Sequence, residues 1–321
     1  MKITVVQDPL SASPENSPRS HVEVAGLIAA ELKSQGHDTF IQTVNAELTA
    51  DLEEIQPDLA FNIASRTTTM GGLAEGPAVL EALGIPFTGS SAAACTLAYD
   101  KTESKFTFES NNVPIPKYAV IENLEDAKIP GGLAFPLFIK PVFGGCSRGI
   151  IPSSLVPDKA SFTENLNRVS SQCSTPLLVE EFITGREFSV GILGFPDPVT
   201  LPILEIIYPD ANGEKGFRDF STKMFHSGQQ SRTCPADIPA NLAKTIRNTA
   251  MQAFSALGCR DYARVDLRLS RDNQPMVLEV NALPSLFPET SSFIRMAQAA
   301  GIGFSDLISQ LINFARNRAR I

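Results

Sequence analysis

Ala263-Arg264-Val265-Asp266-Leu267-Arg268-Leu269 and Met276-Val277-Leu278-Glu279-Val280-Asn281 are two short segments in which charged and aliphatic residues alternate. Successive side chains of a strand point to opposite faces, so Arg264, Asp266 and Arg268 share one face of the first segment, and Glu279 and Asn281 share one face of the second. The polar run between them reads as a hairpin connection. With Asp272-Asn273 as its central pair, Asp266 falls opposite Glu279 and Arg264 opposite Asn281. Like charges so opposed destabilise a sheet unless something positive lies between them. A hard divalent cation is one such group, because it accepts carboxylate and amide oxygens together. Arg264 and Arg268 neutralising the acids on a solvated face is the other.

Upstream, Phe135–Lys140 reads as a strand that ends on Lys140 and runs into Gly144-Gly145-Cys146-Ser147-Arg148-Gly149, with Ile150-Ile151 as a returning strand. Loop N–H groups, the Ser147 hydroxyl and the Lys140 ammonium suit phosphate oxygens. A plain hairpin turn fits the same residues, and the Gly-Lys-Ser/Thr of a P-loop does not follow. Leu177–Glu181 and Glu187–Leu193 are two further apolar strands joined by a tight linker containing Gly185. Such a linker offers the donors and acceptors that the edge of a flat adenine needs, with Glu187 in reach of ribose hydroxyls. Each of these glutamates also fits an ordinary surface position.

The chain of 321 residues is long enough for two or three units with cores of their own. Its 27 basic and 35 acidic residues give a formal charge of −8, which argues against a nucleic-acid or anionic-membrane partner. No apolar run reaches the roughly 20 residues of a membrane span, and the start is unlike a signal peptide, so a cytoplasmic location is expected. Five widely spaced cysteines (Cys95, Cys146, Cys173, Cys234, Cys259) and three histidines point to neither a disulfide framework nor a zinc site. Cys146 stands out by its place in the glycine-rich loop.

The first stretch alternates strands and helices in the manner of a parallel α/β layer. Strands are expected at Lys2–Gln7, Asp38–Thr43, Leu59–Ile63 and Ile85–Thr88, and helices at His21–Gln35 and Gly76–Leu83. The polar loops Ser11–Ser20 and Ser65–Gly72 fall at the carboxyl ends of strands, where open sheets bind ligands; ordinary surface loops read the same way. A helix over Asp100–Ser110 leads into the second part. Later come strand Leu201–Ile207, the long polar stretch Tyr208–Pro235 that reads as a lid or an unstructured segment, and helices at Ile238–Leu257, Phe293–Ala300 and Phe304–Asn317.

Taken in order, Lys140-Pro-Val-Phe-Gly-Gly-Cys-Ser-Arg-Gly, Glu180 to Glu187, Arg264-Val-Asp266 and Glu279-Val-Asn281 resemble the D-alanyl-D-alanine ligase family of the ATP-grasp fold. The resemblance covers almost the whole chain, including Pro86–Ser90, Asp100-Lys101 and the closing Ala-Gly-Ile-Gly-Phe-Ser. It implies an N-terminal parallel α/β substrate domain (1–95) and two α+β subdomains (96–185 and 186–321) that hold ATP between them. It further implies a two-step reaction, in which a carboxylate attacks the γ-phosphate of ATP and an amine then displaces phosphate from the acyl-phosphate to form an amide.

By this similarity Lys101, Lys140, Cys146, Ser147, Glu180, Glu181, Ile183, Glu187 and Lys223 contact ATP, with Glu180 and the backbone at Ile183 on adenine and Glu187 on ribose. Asp266, Glu279 and Asn281 hold Mg²⁺, or Mn²⁺. Arg264, Lys223, Ser147 and Ser285 act on the reacting groups. Tyr208–Pro235 corresponds to a mobile loop that closes over the site. Glu15, Arg19, Arg66, Ser291 and Ser292 are expected substrate contacts, the substrates being small amino acids or carboxylates, and the family is often a homodimer. The chain also departs from the pattern. The first-substrate signature is missing from 13–21 and 62–72, Cys146 replaces a serine, Met224 a tyrosine, and Leu283-Pro284-Ser285-Leu286-Phe287 stands where the family has Ser-Pro-Gly-Met-Thr. Three readings remain: ligation of two D-alanines, ligation of another substrate pair, and ATP binding without ligation.

Overall fold

In a computed structural model, which describes residues 1–9, 21–65, 72–124, 128–145, 147, 149–173, 176–208, 216–217 and 231–320, the described residues form three sheets. The first is parallel, with β1 (Lys2–Gln7) between β2 (Asp38–Thr43) and β3 (Leu59–Asn62). Its helices are α1 (His21–Ser34), α2 (Leu48–Ile55) and α3 (Glu75–Ala82). Ile85–Thr88, expected as a fourth strand, contributes only one parallel bridge, from Phe87 to Ala60. Pro86 has no N–H with which to extend a ladder, although its carbonyl accepts from the Ala60 N–H at 2.8 Å. Ser91 then caps α4 (Ala92–Tyr99), and the Asp100 carboxylate accepts the Thr102 and Glu103 N–H groups at 2.8 and 3.1 Å. Asp100 is thereby the cap of α5 (Lys101–Ser110) rather than its first residue.

The second sheet is antiparallel, in the order β4 (Tyr118–Ile121), β7 (Leu177–Glu181), β5 (Leu137–Pro141), β6 (Leu155–Val156), and α6 (Phe162–Ser170) packs on it. Ile150-Ile151 is not the returning strand. A single 3-10 turn over Pro152–Ser154 intervenes, with the Ile151 N–H donating to Ser154 Oγ at 3.1 Å, so the pairing begins at Leu155.

The third sheet is antiparallel as well. It contains β8 (Glu187–Gly194), β9 (Val199–Thr200), β10 (Leu204–Ile207), β11 (Ser231–Thr233), β12 (Asp261–Leu269) and β13 (Pro275–Asn281), in the order β11-β10-β8-β12-β13 with β9 on β8. The helices α7 (Ala240–Ala256), α8 (Ser292–Ala299) and α9 (Phe304–Ala319) belong to this part of the chain. Most of Tyr208–Pro235 lies outside the described residues, but its end is a strand, with Ser231 to Thr233 paired to Ile207 to Glu205.

The hairpin that decides the fold has the expected facing by a different route. Arg264 pairs with Asn281 and Asp266 with Glu279, but Leu269 pairs with Pro275, so the connection is five residues centred on Asp272, not the two-residue turn Asp272-Asn273. A bulge at Leu278 restores the register. It also resolves a conflict in the sequence, because strict alternation would put Val277 on the face of Glu279 and Asn281. In the structure Val277 and Val280 are both buried.

One continuous core unites the first and third sheets: Ile3, Val5, Leu59 and Phe61 share a cluster with Val265, Leu267, Phe293, Leu307, Ile308 and Leu311. The second sheet has its own cluster around Ile139, Phe162 and Val179, and the other side of the first sheet a third around Leu48, Leu52 and Leu80. Cys95, Cys173, Cys234 and Cys259 are free thiols. Among the described residues no helix is long and apolar enough to cross a membrane.

The β7–β8 linker lies tight against the end of β12. The Leu269 N–H donates to Arg186 O at 3.0 Å, and a Cβ on Gly185 would stand 2.0 Å from Leu269 O. Gly185→Ala is expected to cost about 1–3 kcal/mol through overpacking, measured by urea unfolding. Gly131→Ala, where a Cβ meets nothing within 4 Å, should stay within about 0.5 kcal/mol of the parent; equal stability of the two variants would refute the close approach.

Candidate functional site

The polar faces of β12 and β13 carry one end of the site. Asp266 Oδ1 accepts from Ser189 Oγ at 2.6 Å and from Arg264 Nε at 2.9 Å, and Oδ2 accepts from Arg264 Nη2 at 2.8 Å. Asn281 Nδ2 reaches Asp266 Oδ2 at 3.0 Å and Glu279 Oε1 at 3.3 Å, so the amide sits between the two carboxylates. Arg264 therefore does neutralise Asp266, as the cation-free reading expected. Arg268 does not join it, and is turned to Glu187. Turning the Asn281 amide would present its oxygen beside carboxylate oxygens of Asp266 and Glu279, a donor set of the kind a hard divalent cation takes. The residues present fit such an ion.

The facing wall belongs to the second sheet. Phe138 and Glu180 are directly paired across β5 and β7, and Lys140 lies two residues along from Phe138 on the same face. Glu180 is buried with Lys140 Nζ at 2.6 Å and Lys105 Nζ at 2.9 Å. Burial alone would push its carboxyl up, but Lys105 and Lys140 outweigh it and hold Glu180 down at about 2. Glu180 is thus an acceptor at any physiological pH. Glu181 points elsewhere: alternation sends it to the opposite face, where it accepts the Ala134 N–H at 2.8 Å.

Lys101, first residue of α5, lies over the start of the glycine-rich loop, donating to Gly144 O at 2.7 Å and Val142 O at 3.3 Å. Burial lowers its pKa to about 8, against the opposing pull of Glu279. The charges that act on it are those of Glu279 on the third sheet, Lys140 and Glu180 on the second, and Asp100 next to it in sequence. In the loop itself Ser147 adopts φ +61, the left-handed region, and Gly149 has φ +72 with Pro141 Cγ 2.9 Å from where a Cβ would be. Cys146 lies outside the described residues, as do Lys223, Glu15, Arg19 and Arg66.

The linker between the walls is held by Arg268. Its Nη1 donates to Ile183 O at 2.8 Å, its Nε lies 3.0 Å from Glu187 Oε2, and Nη2 donates to Gly216 O. The guanidinium carbon is 4.7 Å from the Phe182 ring centroid, and Phe182 stacks on Phe138 at 5.7 Å. Burial pushes the Glu187 carboxyl up, with Arg268 pulling the other way.

Beyond Asn281 the chain turns through Ser285, which is exposed. Ser285 O accepts from Ser291 Oγ, and Ser291 also caps α8, accepting from the Phe293 N–H at 3.1 Å. That hydroxyl is a cap and a loop clasp, and Ser292 is the buried first residue of the helix. A small cleft beside Ser285 is lined by Val24, Ile63, Tyr262 and Leu283, with Ser65 as a further polar residue.

Two residues were missed. Ser189 lies opposite Asp266 on β8 and bonds it; the signal was its period-two spacing from Glu187. Lys105 is four residues after Lys101, hence on the same side of a helix.

A family model described as the D-ala D-ala ligase C-terminus matches residues 108–313. The D-alanine–D-alanine ligase of Desulforudis audaxviator is 31% identical over 320 residues, covering 99% of each chain. The uncharacterized protein y4sG of Sinorhizobium fredii is 31% identical over 97% of this chain and 92% of its own. The crystal structure of D-alanine–D-alanine ligase from Bacillus anthracis complexed with ATP superposes with a TM-score of 0.79 at 24% identity, over 100% of this chain and 99% of the other. The three sheets are those of an ATP-grasp fold. With its acidic hairpin, lysine-flanked Glu180 and glycine-rich loop, and with relatives matched along nearly its full length, the chain belongs to the D-alanine–D-alanine ligase family.

Proposed function

We propose that the chain joins a carboxylate to an amine at the expense of ATP, with the nucleotide lying between the second and third sheets. The observation that carries this reading is Lys101, which bonds the start of the glycine-rich loop and feels the charges of both the acidic hairpin and the Lys105-Glu180-Lys140 cluster. Glu180, always an acceptor, and Ile183 would take the amino edge of adenine, and Glu187 would take the ribose hydroxyls. Lys101 and Lys140 would hold phosphate oxygens, with Ser147 and the loop N–H groups. Asp266, Glu279 and Asn281 would hold Mg²⁺, or Mn²⁺, which when bound neutralises phosphate charge.

The substrate carboxylate takes the terminal phosphoryl group as ADP leaves; the amine then attacks the acyl carbon, loses a proton and expels phosphate. Arg264 would steady the charge on the acyl-phosphate, and the Ser285 N–H the oxyanion formed during its breakdown. Three units at 1–95, 96–185 and 186–321, each holding one sheet, belong to the same proposal, as does a cytoplasmic homodimer on the resemblance alone.

Phosphate release from ATP should appear with D-alanine as the only amino acid. Release only with another small pair moves the substrate and keeps the ligase; ATP binding without release across a panel of pairs overturns it. Asp266→Asn is expected to lower turnover at least about 100-fold while the fold persists, and unchanged Mg²⁺-dependent turnover would remove Asp266 from the metal set. The Lys101 ammonium is present below about 8 and lost above it, so kcat/KM for ATP should fall as the pH rises through that value. Lys101→Arg should flatten the profile, and a profile that still falls at the same pH would assign the titration to another group.

A further inference from the structure

Arg268 is an arginine on a central strand, 4% exposed, whose Nη1 and Nη2 donate to Ile183 O and Gly216 O and whose Nε lies in an ion pair 3.0 Å from Glu187 Oε2. Its guanidinium lies 4.7 Å from the Phe182 ring centroid and 5.8 Å from that of Tyr208. Arginine is rarely buried to this degree without a dedicated set of partners. These partners are not scattered. Phe182 and Ile183 belong to the linker between the two walls and Glu187 opens β8, so one side chain fixes the linker carbonyl and the first carboxylate of the next strand together. Arg268 stands two residues from Asp266 on β12, about 7 Å along the strand. The strand therefore sets the spacing between the acidic hairpin and the linker.

We infer that Arg268 is the positioning residue for the nucleoside half of the nucleotide site, acting through Ile183 and Glu187 and selecting a purine with an amino group at the 6-position, where guanine has a carbonyl. This rests on the nucleotide reading given above. A carbonyl oxygen has two lone pairs, so Ile183 O, held by one guanidinium N–H, keeps a second for the base. Glu180 offers only acceptors. Two fixed acceptors favour the amino edge of adenine over the carbonyl edge of guanine. Glu187, paired with the same guanidinium, is placed to accept from hydroxyl donors. Arg268 itself transfers nothing and touches no reacting atom.

The test compares the full chain with its Arg268→Met and Arg268→Lys variants, using two probes with Mg²⁺: ATP and inorganic tripolyphosphate. In Arg268→Met the affinity for ATP should drop about tenfold or more, the loss of charge-assisted bonds, whereas tripolyphosphate, which has no nucleoside, should bind as before. The preference for ATP over GTP should narrow, and kcat at saturating ATP should hold within about twofold. Arg268→Lys keeps the charge beside Glu187 and should lose less. Equal weakening of ATP and tripolyphosphate would mark a merely structural role and overturn the inference, as would unchanged ATP affinity in a variant that melts like the parent. Should Arg268→Met fail to fold, Arg268→Lys is read by the same two probes. Absence of ATP binding by the parent chain would overturn the nucleotide reading itself, whereas binding by the parent with indifferent variants overturns only the role of Arg268.

Discussion

Two carboxylates facing each other across one antiparallel pair are the constraint around which the rest of this cleft is organised. Asp266 and Glu279 occupy opposed positions, where like charges raise the energy of the sheet. The structure offsets this with what it has at hand: a guanidinium on Asp266, a serine hydroxyl from the neighbouring strand and an amide bridging the two acids.

The opposite wall has the reverse character. Lys101, Lys105 and Lys140 gather around a single glutamate, and Glu180 is kept ionised by two of them. A polyanion between the walls would meet ammonium groups on one side and carboxylates on the other, and a small hard cation would be needed to join it to the carboxylate side. The buried ions would be costly on their own. Arranged as two complementary walls, they define where charge belongs along the cleft. The linker at Phe182–Arg186 and Arg268 closes the apolar end, where Phe138 and Phe182 stack.

Much of this was legible in the alternation of short segments. The pairings Arg264 with Asn281 and Asp266 with Glu279 follow from period two, even though the turn was placed a residue off and the bulge at Leu278 made up the difference. Val277 was the visible clue, an aliphatic in phase with the acids. Ser189 and Lys105 escaped because a buried serine on an apolar strand and a second lysine on a helix look like ordinary packing and an ordinary solvated face. Their roles come from a strand and a sheet distant in sequence. Pro86 and the turn at Pro152 cut short two strands that composition alone favoured. The expected contacts Cys146, Lys223, Glu15, Arg19 and Arg66 fall outside the described residues, so the first-substrate loops carry no weight in the geometry.

The single core shared by the first and third sheets bears on how the chain is made. Ile3, Val5 and Phe61 are buried in the same cluster as Leu307, Ile308 and Leu311 of α9. During synthesis the first sheet therefore emerges with one face lacking its final cover, and it waits for more than two hundred residues before that cover is translated. The second sheet, with a local core of its own, can complete its packing in the meantime. The order of folding need not follow the order of the sequence: the middle of the protein can be finished while its beginning still depends on its end.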